Sequence, residues 1–402
     1  MRRNNSRRWT AAAASMTLVA LGASACGSND DSSKATSPDL SNVSFTGDPI
    51  KVMTTSSWGN AIFDIKDPVT IAQAAVDKIN EAGGIAGHKV VLDTCNDGAD
   101  ANSAAACARE AVANKDIAYV GGISINPAVV GPILEKGGIP WLGAQGVTAW
   151  DLANADSYPL VSGPLAFGAL AIRAVKDGCK NIGVVRYDAP AAAGVVAAFN
   201  AALAKVGAKV SADIPVPPTA VTFDSIAAQV SKTDCTIAAI PSQTFLGVVA
   251  AVRGSGGSTK FYTIAGTANA ATLKAGGATL DGVVTQVNFP TEEDPVWADA
   301  KAAAPNVDWG WIYNDSTWAS YQTLADVLKN SHEKTVDAAA LRKALDHATA
   351  ASTGGVTPPI NFTKGMPVPG LNRIFNTTIW FAKIQGGKVA IDGPSVNLAA
   401  AG

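Results

Sequence analysis

Strand-like and helix-like patterns alternate along this chain in two successive runs, and that alternation narrows what it can become more than any other feature. Ile50 to Thr55 reads as a buried strand. Asp67 and Pro68 then suit the N-cap and first turn of a helix. Ile71, Ala74, Ala75 and Ile79 recur at helical spacing and give one apolar face. Gly83 and Gly84 stop that helix, since glycine enters the left-handed conformation without steric cost, and Val90, Val91 and Leu92 begin a second strand. A helix over Ala101 to Ala113, a strand over Ile117 to Val120, a helix over Ala128 to Lys136 and a strand over Ile139 to Leu142 follow. A second run begins near Pro164: helix Leu165 to Lys176, strand Ile182 to Tyr187, helix Gly194 to Val206 and strand Lys209 to Ile214. It continues through helix Phe223 to Ser231, strand Thr236 to Ile240, helix Phe245 to Gly254 and strand Lys260 to Ala265. Such alternation predicts α/β architecture, with parallel sheets covered on both faces and wound twice.

The rest of the chain departs from this rhythm. Asp281 to Asn288 reads as a strand leading back to the first half, and Trp318 to Asn330 and Asp337 to Thr349 as helices. Ile360 to Phe362, Ile374 to Gln385 and Val389 to Ile391 read as strands, the last two turning at Gly386-Gly387 into a terminal hairpin. With 402 residues, 48% hydrophobic and 16% charged, the chain suits two well-filled domains and not a disordered one. No basic run follows the N-terminal arginines, which argues against nucleic acid as a partner.

Residues 1–25 read as an export signal. Arg2, Arg3, Arg7 and Arg8 are followed by a short apolar run from Thr10 to Leu21, too short for an ordinary membrane span. Ala23-Ser24-Ala25 before Cys26 resembles a bacterial lipobox, which implies diacylation of Cys26; plain cleavage after Ala25 is the other reading. Ser6-Arg7-Arg8 keeps twin-arginine export open beside the general route. The four arginines are the only charges in residues 1–25, so without them the 31 basic side chains fall to 27 against 33 acidic ones. Gly27 to Gly47 is polar and without periodicity, and reads as a tether. The expected location is the outer face of a bacterial cell membrane, held by the lipid anchor.

Four further cysteines suit disulfides outside the cytoplasm. Cys95-Cys107 would be a local bridge, and Cys179-Cys235 would join the starts of two strands; the other two pairings stay open. No CxxC occurs, and His88, His332 and His347 are scattered, so neither a metal site nor a cofactor is expected.

The stretch Ala72 to Leu92, AQAAVDKINEAGGIAGHKVVL, resembles the signature of the branched-chain amino acid-binding (leucine-binding) family of ABC-transporter substrate-binding proteins. Asp93 to Val112, Tyr119 to Ser124, Gly138 to Gly143, Val175 to Val185 and Phe199 to Val210 keep that family's order. The resemblance implies a type I periplasmic-binding fold: two Rossmann-like doubly wound lobes closing over a small molecule in the cleft between them. It implies a first lobe over 48–163, a second over 164–288, a return to the first over 289–357, and a return to the second with the hairpin over 358–402. It also implies an ABC permease and ATPase complex as partner, a monomeric state and no covalent chemistry. A ligand-sensing module signalling to a membrane partner is the alternative reading.

Ligands of open α/β sheets sit beyond the carboxyl ends of the strands. The candidates there are Trp58, Ser124, Asn126, Gln145, Gly146, Thr148, Asp188, Gln243, Thr244, Thr267 and Asn269. Each has a plainer role open to it: a surface cap for Trp58, helix capping for Ser124 and Asp188, and turn chemistry for Gln243, Thr244, Thr267 and Asn269. Tyr313 and Asp315, near a helix start, read as structural. The family's third loop usually carries a carboxylate-binding Thr, here displaced to Thr148, and the loop after Asp188 lacks the usual Tyr. Gly266 to Asn269 lacks an acid for an ammonium group. The ligand class therefore widens from amino acids to small polar or amphipathic molecules. No GxSxG, HExxH or Walker A sequence points to an enzyme.

Overall fold

The computed structural model describes residues 38–59, 64–188, 192–331, 333 and 335–399. The expected signal segment, Cys26 and most of the tether lie outside the described residues. The first run comprises β1 (Gly47–Ser56), α1 (Asp67–Glu81), β2 (His88–Asn96), α2 (Ala101–Asn114), β3 (Ala118–Val120), α3 (Pro127–Gly137), β4 (Trp141–Leu142), α4 (Ala149–Ala153) and β5 (Ser157–Tyr158). The second comprises α5 (Pro164–Lys176), β6 (Ile182–Tyr187), α6 (Ala193–Ala204), β7 (Val210–Val216), α7 (Asp224–Val230), β8 (Cys235–Ala239), α8 (Ser242–Gly254), β9 (Lys260–Thr263), α9 (Ala270–Gly276) and β10 (Val284–Val287). Then come α10 (Ala298–Ala303), α11 (Ile312–Asn330), α12 (Ala338–His347), β11 (Thr378–Gln385), β12 (Lys388–Ile391) and β13 (Val396–Asn397).

Local chemistry explains the first βα unit. Ile71, Ala72, Ala75, Val76 and Ile79 form the buried face of α1. The side chain of Asn80 bonds both backbone groups of Val90: Nδ2 donates to its carbonyl, and its N–H donates to Oδ1, each at 2.8 Å. Helix and strand are thus joined through one amide. Gly84 has φ +74°, and a Cβ there would lie 2.0 Å from the carbonyl oxygen of His88, so only glycine fits. Asp67 is not the cap expected of it. It opens the helix, and its Oδ2 accepts from the Asp308 N–H at 3.0 Å.

Two sheets result. The first is all parallel, in the order β2-β1-β3-β4-β5. The second is parallel in the order β7-β6-β8-β9-β10, the same winding repeated. The antiparallel β11–β12 hairpin extends the second sheet beyond β10, turning at Gly386-Gly387 as the sequence predicts. Each sheet is covered on both faces by separate apolar clusters. Parallel strands buried on both faces must be apolar throughout, and this is why Val52, Val120, Leu142, Val184, Val185 and Ile237 are fully buried.

The chain passes between sheets after β5, after β10 and before β11. Buried side chains tie these crossings together. Asn288 Nδ2 donates to Ser162 Oγ at 3.0 Å, and Asn376 Nδ2 donates to the Leu160 carbonyl at 2.8 Å. The last crossing lies later than the expected 358. Ile360, Phe362 and Phe375 pack in the first lobe's core, Phe362 and Phe375 against Tyr158. Ile360 makes only an isolated bridge with Ala351, not a strand. The expected tether also ends earlier, because the Thr46 N–H donates to the Gly87 carbonyl at 2.9 Å.

Disulfides join Cys95 to Cys107 and Cys179 to Cys235, with Cα–Cα separations of 5.6 and 5.9 Å. Closing loops of 12 and 56 residues stabilises by about 3 and about 4 kcal/mol in the chain-entropy account. Cys235 stands opposite Ile182 in the β6–β8 ladder, so the second bridge does join strand starts.

Asp116, at the end of the first sheet away from the cleft, has both carboxylate oxygens buried with no hydrogen-bond donor to either among the described residues. Burial first, then the neighbouring Asp93 carboxylate, pushes it up to about 7. An acid raised in the folded state keeps a proton that the unfolded chain has released, so its contribution falls as pH rises from about 4, the unfolded value, to about 7. Asp116→Asn is therefore expected to raise the melting temperature by a few degrees at pH 8, with a gain that shrinks toward zero near pH 4. Thermal unfolding scans across that range check it.

Candidate ligand cleft

The two sheets repeat one winding, and each has its switch point where the connections part: between β1 and β3 in the first, between β6 and β8 in the second. At the end of β3, Gly121 and Gly122 both take positive φ. A Cβ on Gly122 would lie 2.2 Å from the Thr55 carbonyl oxygen, so the loop passes directly over β1. The Gly122 N–H donates to Thr317 Oγ1 at 3.0 Å, fixing the loop to α11.

Ser124 and Gln145 meet on this platform. The Ser124 N–H donates to Gln145 Oε1 at 3.0 Å, and the Asn126 N–H donates to Ser124 Oγ at 3.1 Å. The Gln145 side chain also neighbours the Tyr313 hydroxyl, whose proton affinity is raised chiefly by burial. Tyr313 packs edge-on against Trp311, with ring centroids 4.9 Å apart. Across the cleft, a Cβ on Gly266 would stand 3.5 Å from Trp311 Nε1, so the loop after β9 reaches the first lobe here. One line of contacts thus runs from Ser124 through Gln145, Tyr313 and Trp311 to the second lobe.

On the second lobe, the hydroxyls of Tyr187 and Thr244 lie 3.1 Å apart, at the end of β6 and in the first turn of α8. Gln243 and Asp188 are exposed beside them. Among the described residues Asp188 makes no helix cap: its N–H continues the β6–β7 ladder to Val216, and residues 189–191 lie outside the described residues. Thr267 is buried within the loop after β9. Trp58 is half-buried, its backbone clamped by Asn96, and among the described residues no hydrogen bond joins it to the Ser124 group.

Two candidates have structural duties. Thr148 is the N-cap of α4 in a full capping box, accepting from the Asp151 N–H while Asp151 accepts from Val147 and Thr148. Asn269 caps α9 through the Thr272 N–H at 2.9 Å and donates to Ser242 Oγ at 3.2 Å. Gly146, with φ +66°, makes the turn that frees Gln145 to face Ser124. Tyr313, read as structural, stands between Gln145 and Trp311. Tyr187 and Trp311 were missed as candidates; the aromatic run Trp309, Trp311, Tyr313 at a helix start was the available signal. Among the described residues no cluster could hold a metal ion.

Two sheets of the same winding, joined by three bonded crossings, give the two-lobed architecture of a binding protein. A family profile described as periplasmic binding protein matches residues 61–388, and the chain belongs to that family. No curated protein sequence matches it. Among solved structures it is similar to an extracellular ligand-binding receptor from Verminephrobacter eiseniae, at 18% identity and TM-score 0.72, over 85% of this chain and 99% of that one. It is similar to a fatty acid ABC transporter substrate-binding protein from Thermomonospora curvata, at 15% identity and TM-score 0.71, over 89% and 95%. A branched-chain amino acid transporter substrate-binding protein from Streptococcus pneumoniae, in complex with isoleucine, aligns at 16% identity and TM-score 0.67, over 86% and 100%. At these identities the likeness is one of fold.

Gly122→Ala is expected to destabilise the chain by roughly 2 kcal/mol or more, because a non-glycine residue there combines positive φ with a backbone clash. Urea unfolding measures it.

Proposed function

We propose that this chain is an extracytoplasmic solute receptor that captures a small polar or amphipathic molecule, an amino acid or a related compound, by closing its two lobes, and delivers it to an ABC importer. The observation that carries this reading is the contact line from Ser124 and Gln145 to the loop after β9, within a chain of the periplasmic binding protein family. The first lobe binds first. The Ser124 hydroxyl, Asn126, Gln145 and the N-terminal end of α3 suit the ligand's polar or anionic end. Trp58, Trp311 and Tyr313 supply flat apolar faces. Closure then brings Tyr187, Asp188, Gln243, Thr244 and Thr267 over the other side. Thr148 and Asn269 act at one remove, by holding their loops. The chain works as a monomer, performs no covalent chemistry, and is held at the membrane by a lipid on Cys26. The isoleucine bound to one similar structure and the fatty acid for which another is named support an amphipathic ligand class.

A thermal-shift screen of the purified protein against amino acids, aliphatic acids and amides tests the reading. A ligand at 100 times its dissociation constant adds about 2.7 kcal/mol. Ser124→Ala and Gln145→Ala should each weaken that ligand about tenfold, and Gln145→Ala should also cost stability because it leaves the buried Ser124 N–H unpaired. No stabilising compound across the panels would overturn the proposal. Metabolic palmitate labelling tests the anchor separately, and Cys26→Ala should abolish incorporation.

A further inference from the structure

Beside the crossings lies a cavity that the receptor reading does not use. It spans about 890 Å3, including space open to solvent. The second lobe contributes Leu273 and Val389 to its walls, and the first contributes Phe289, Ile312 and Asp315. It shares Gly266 and Asn269 with the loop after β9, but Ser124, Gln145, Tyr187 and Thr244 do not line it.

Asp315 is the unusual member of this lining. It is 3% exposed, and its Oδ1 accepts from the Gly310 N–H at 3.0 Å. Its Oδ2 has no hydrogen-bond partner among the described residues. The half-buried Asp308 and the rim residue Glu292 add negative charge on the same side. Asp308 accepts from the Ala270 N–H at 3.3 Å, across the lobes, and Glu293 is paired with Lys388. Neither Asp308 nor Asp315 has an ion-pair partner among the described residues, and the lining's one basic side chain, Lys274, is exposed at the rim. Burial, then the repulsion of Asp308 and Glu292, pushes the Asp315 carboxyl well above the usual range. A cation seated beside it would favour the ionised carboxylate and offset part of that cost.

We propose that this cavity binds a small amphipathic monocation, a protonated amine or amidinium carried on an apolar body, with Asp315 as its counterion. Leu273, Phe289, Ile312 and Val389 give the cavity an apolar side facing its acidic one, and that combination favours an organic cation. Among the described residues no three carboxylates converge as metal ligands would. The proposal does not depend on what fills the cleft.

Isothermal titration of the full chain tests it, with 4-methylbenzylammonium chloride as probe and 4-methylbenzyl alcohol as its neutral counterpart. The ammonium should bind saturably, and the alcohol about tenfold or more weaker. Asp315→Asn keeps the side-chain acceptor for Gly310 and removes the charge, and should cost the ammonium about tenfold or more. Val389→Trp fills the cavity from the partly buried hairpin and should block binding with every charge in place. Should Asp315→Asn fail to fold, Val389→Trp decides. Absence of saturable binding, equal affinity for the alcohol, or unchanged binding in the variants would overturn the proposal. So would loss of binding in Ser124→Ala, which would place the probe in the cleft.

Discussion

The structure depends on the buried bonds that tie its three crossings together. Asn288 to Ser162 and Asn376 to the Leu160 carbonyl join segments 126 and 216 residues apart in sequence. These polar groups are buried, so they are costly when unpaired and worth most when paired. Because the bonds hold the passages between the sheets, they direct the carboxyl ends of both sheets toward one space. Everything said of the cleft follows from that placement, since neither sheet has a binding site facing a partner without it.

The cleft is built by making loops pass close over one another. Gly122 lies against the Thr55 carbonyl, Gln145 reaches Ser124, and Gly266 approaches Trp311. Each contact needs either a missing side chain or a positive φ nearby. The hydroxyls and amides brought to the strand ends are then partly used up by the protein itself. Thr148 and Asn269 cap short helices, and short helices rely heavily on such caps because they have few internal bonds to spare. This division separates the residues left to meet a ligand from those that hold the loops in place.

The two sheets, their parallel core and the terminal hairpin were legible in the sequence, since apolar runs, helical spacing and glycine stops act over a few residues. The short elements β5, α4, α9 and α10 were not, because two to seven residues carry too little periodicity to read. The last crossing was placed at a proline pair, whereas aromatic packing of Phe362 and Phe375 on Tyr158 keeps the chain in the first lobe until Phe375. Of the site, Ser124 and Gln145 were legible as polar residues at strand ends. Tyr313 was not, because its partner Gln145 is 168 positions away.

By itself the sequence determined the alternation of strand and helix, the apolar faces that make each sheet doubly covered, and the glycines without which Gly84 and Gly122 could not pass so close to other backbone. These are local properties, set by sterics and by the period of apolar residues. Only the tertiary structure decided which polar residues cap helices and which remain free. It alone brought Trp311 and Tyr313 to the cleft and left Asp315 facing a cavity with one oxygen unpartnered among the described residues. The reason is physical: burial and hydrogen bonding depend on which distant segments meet, and that is settled by the crossings rather than by any residue's neighbours in the chain.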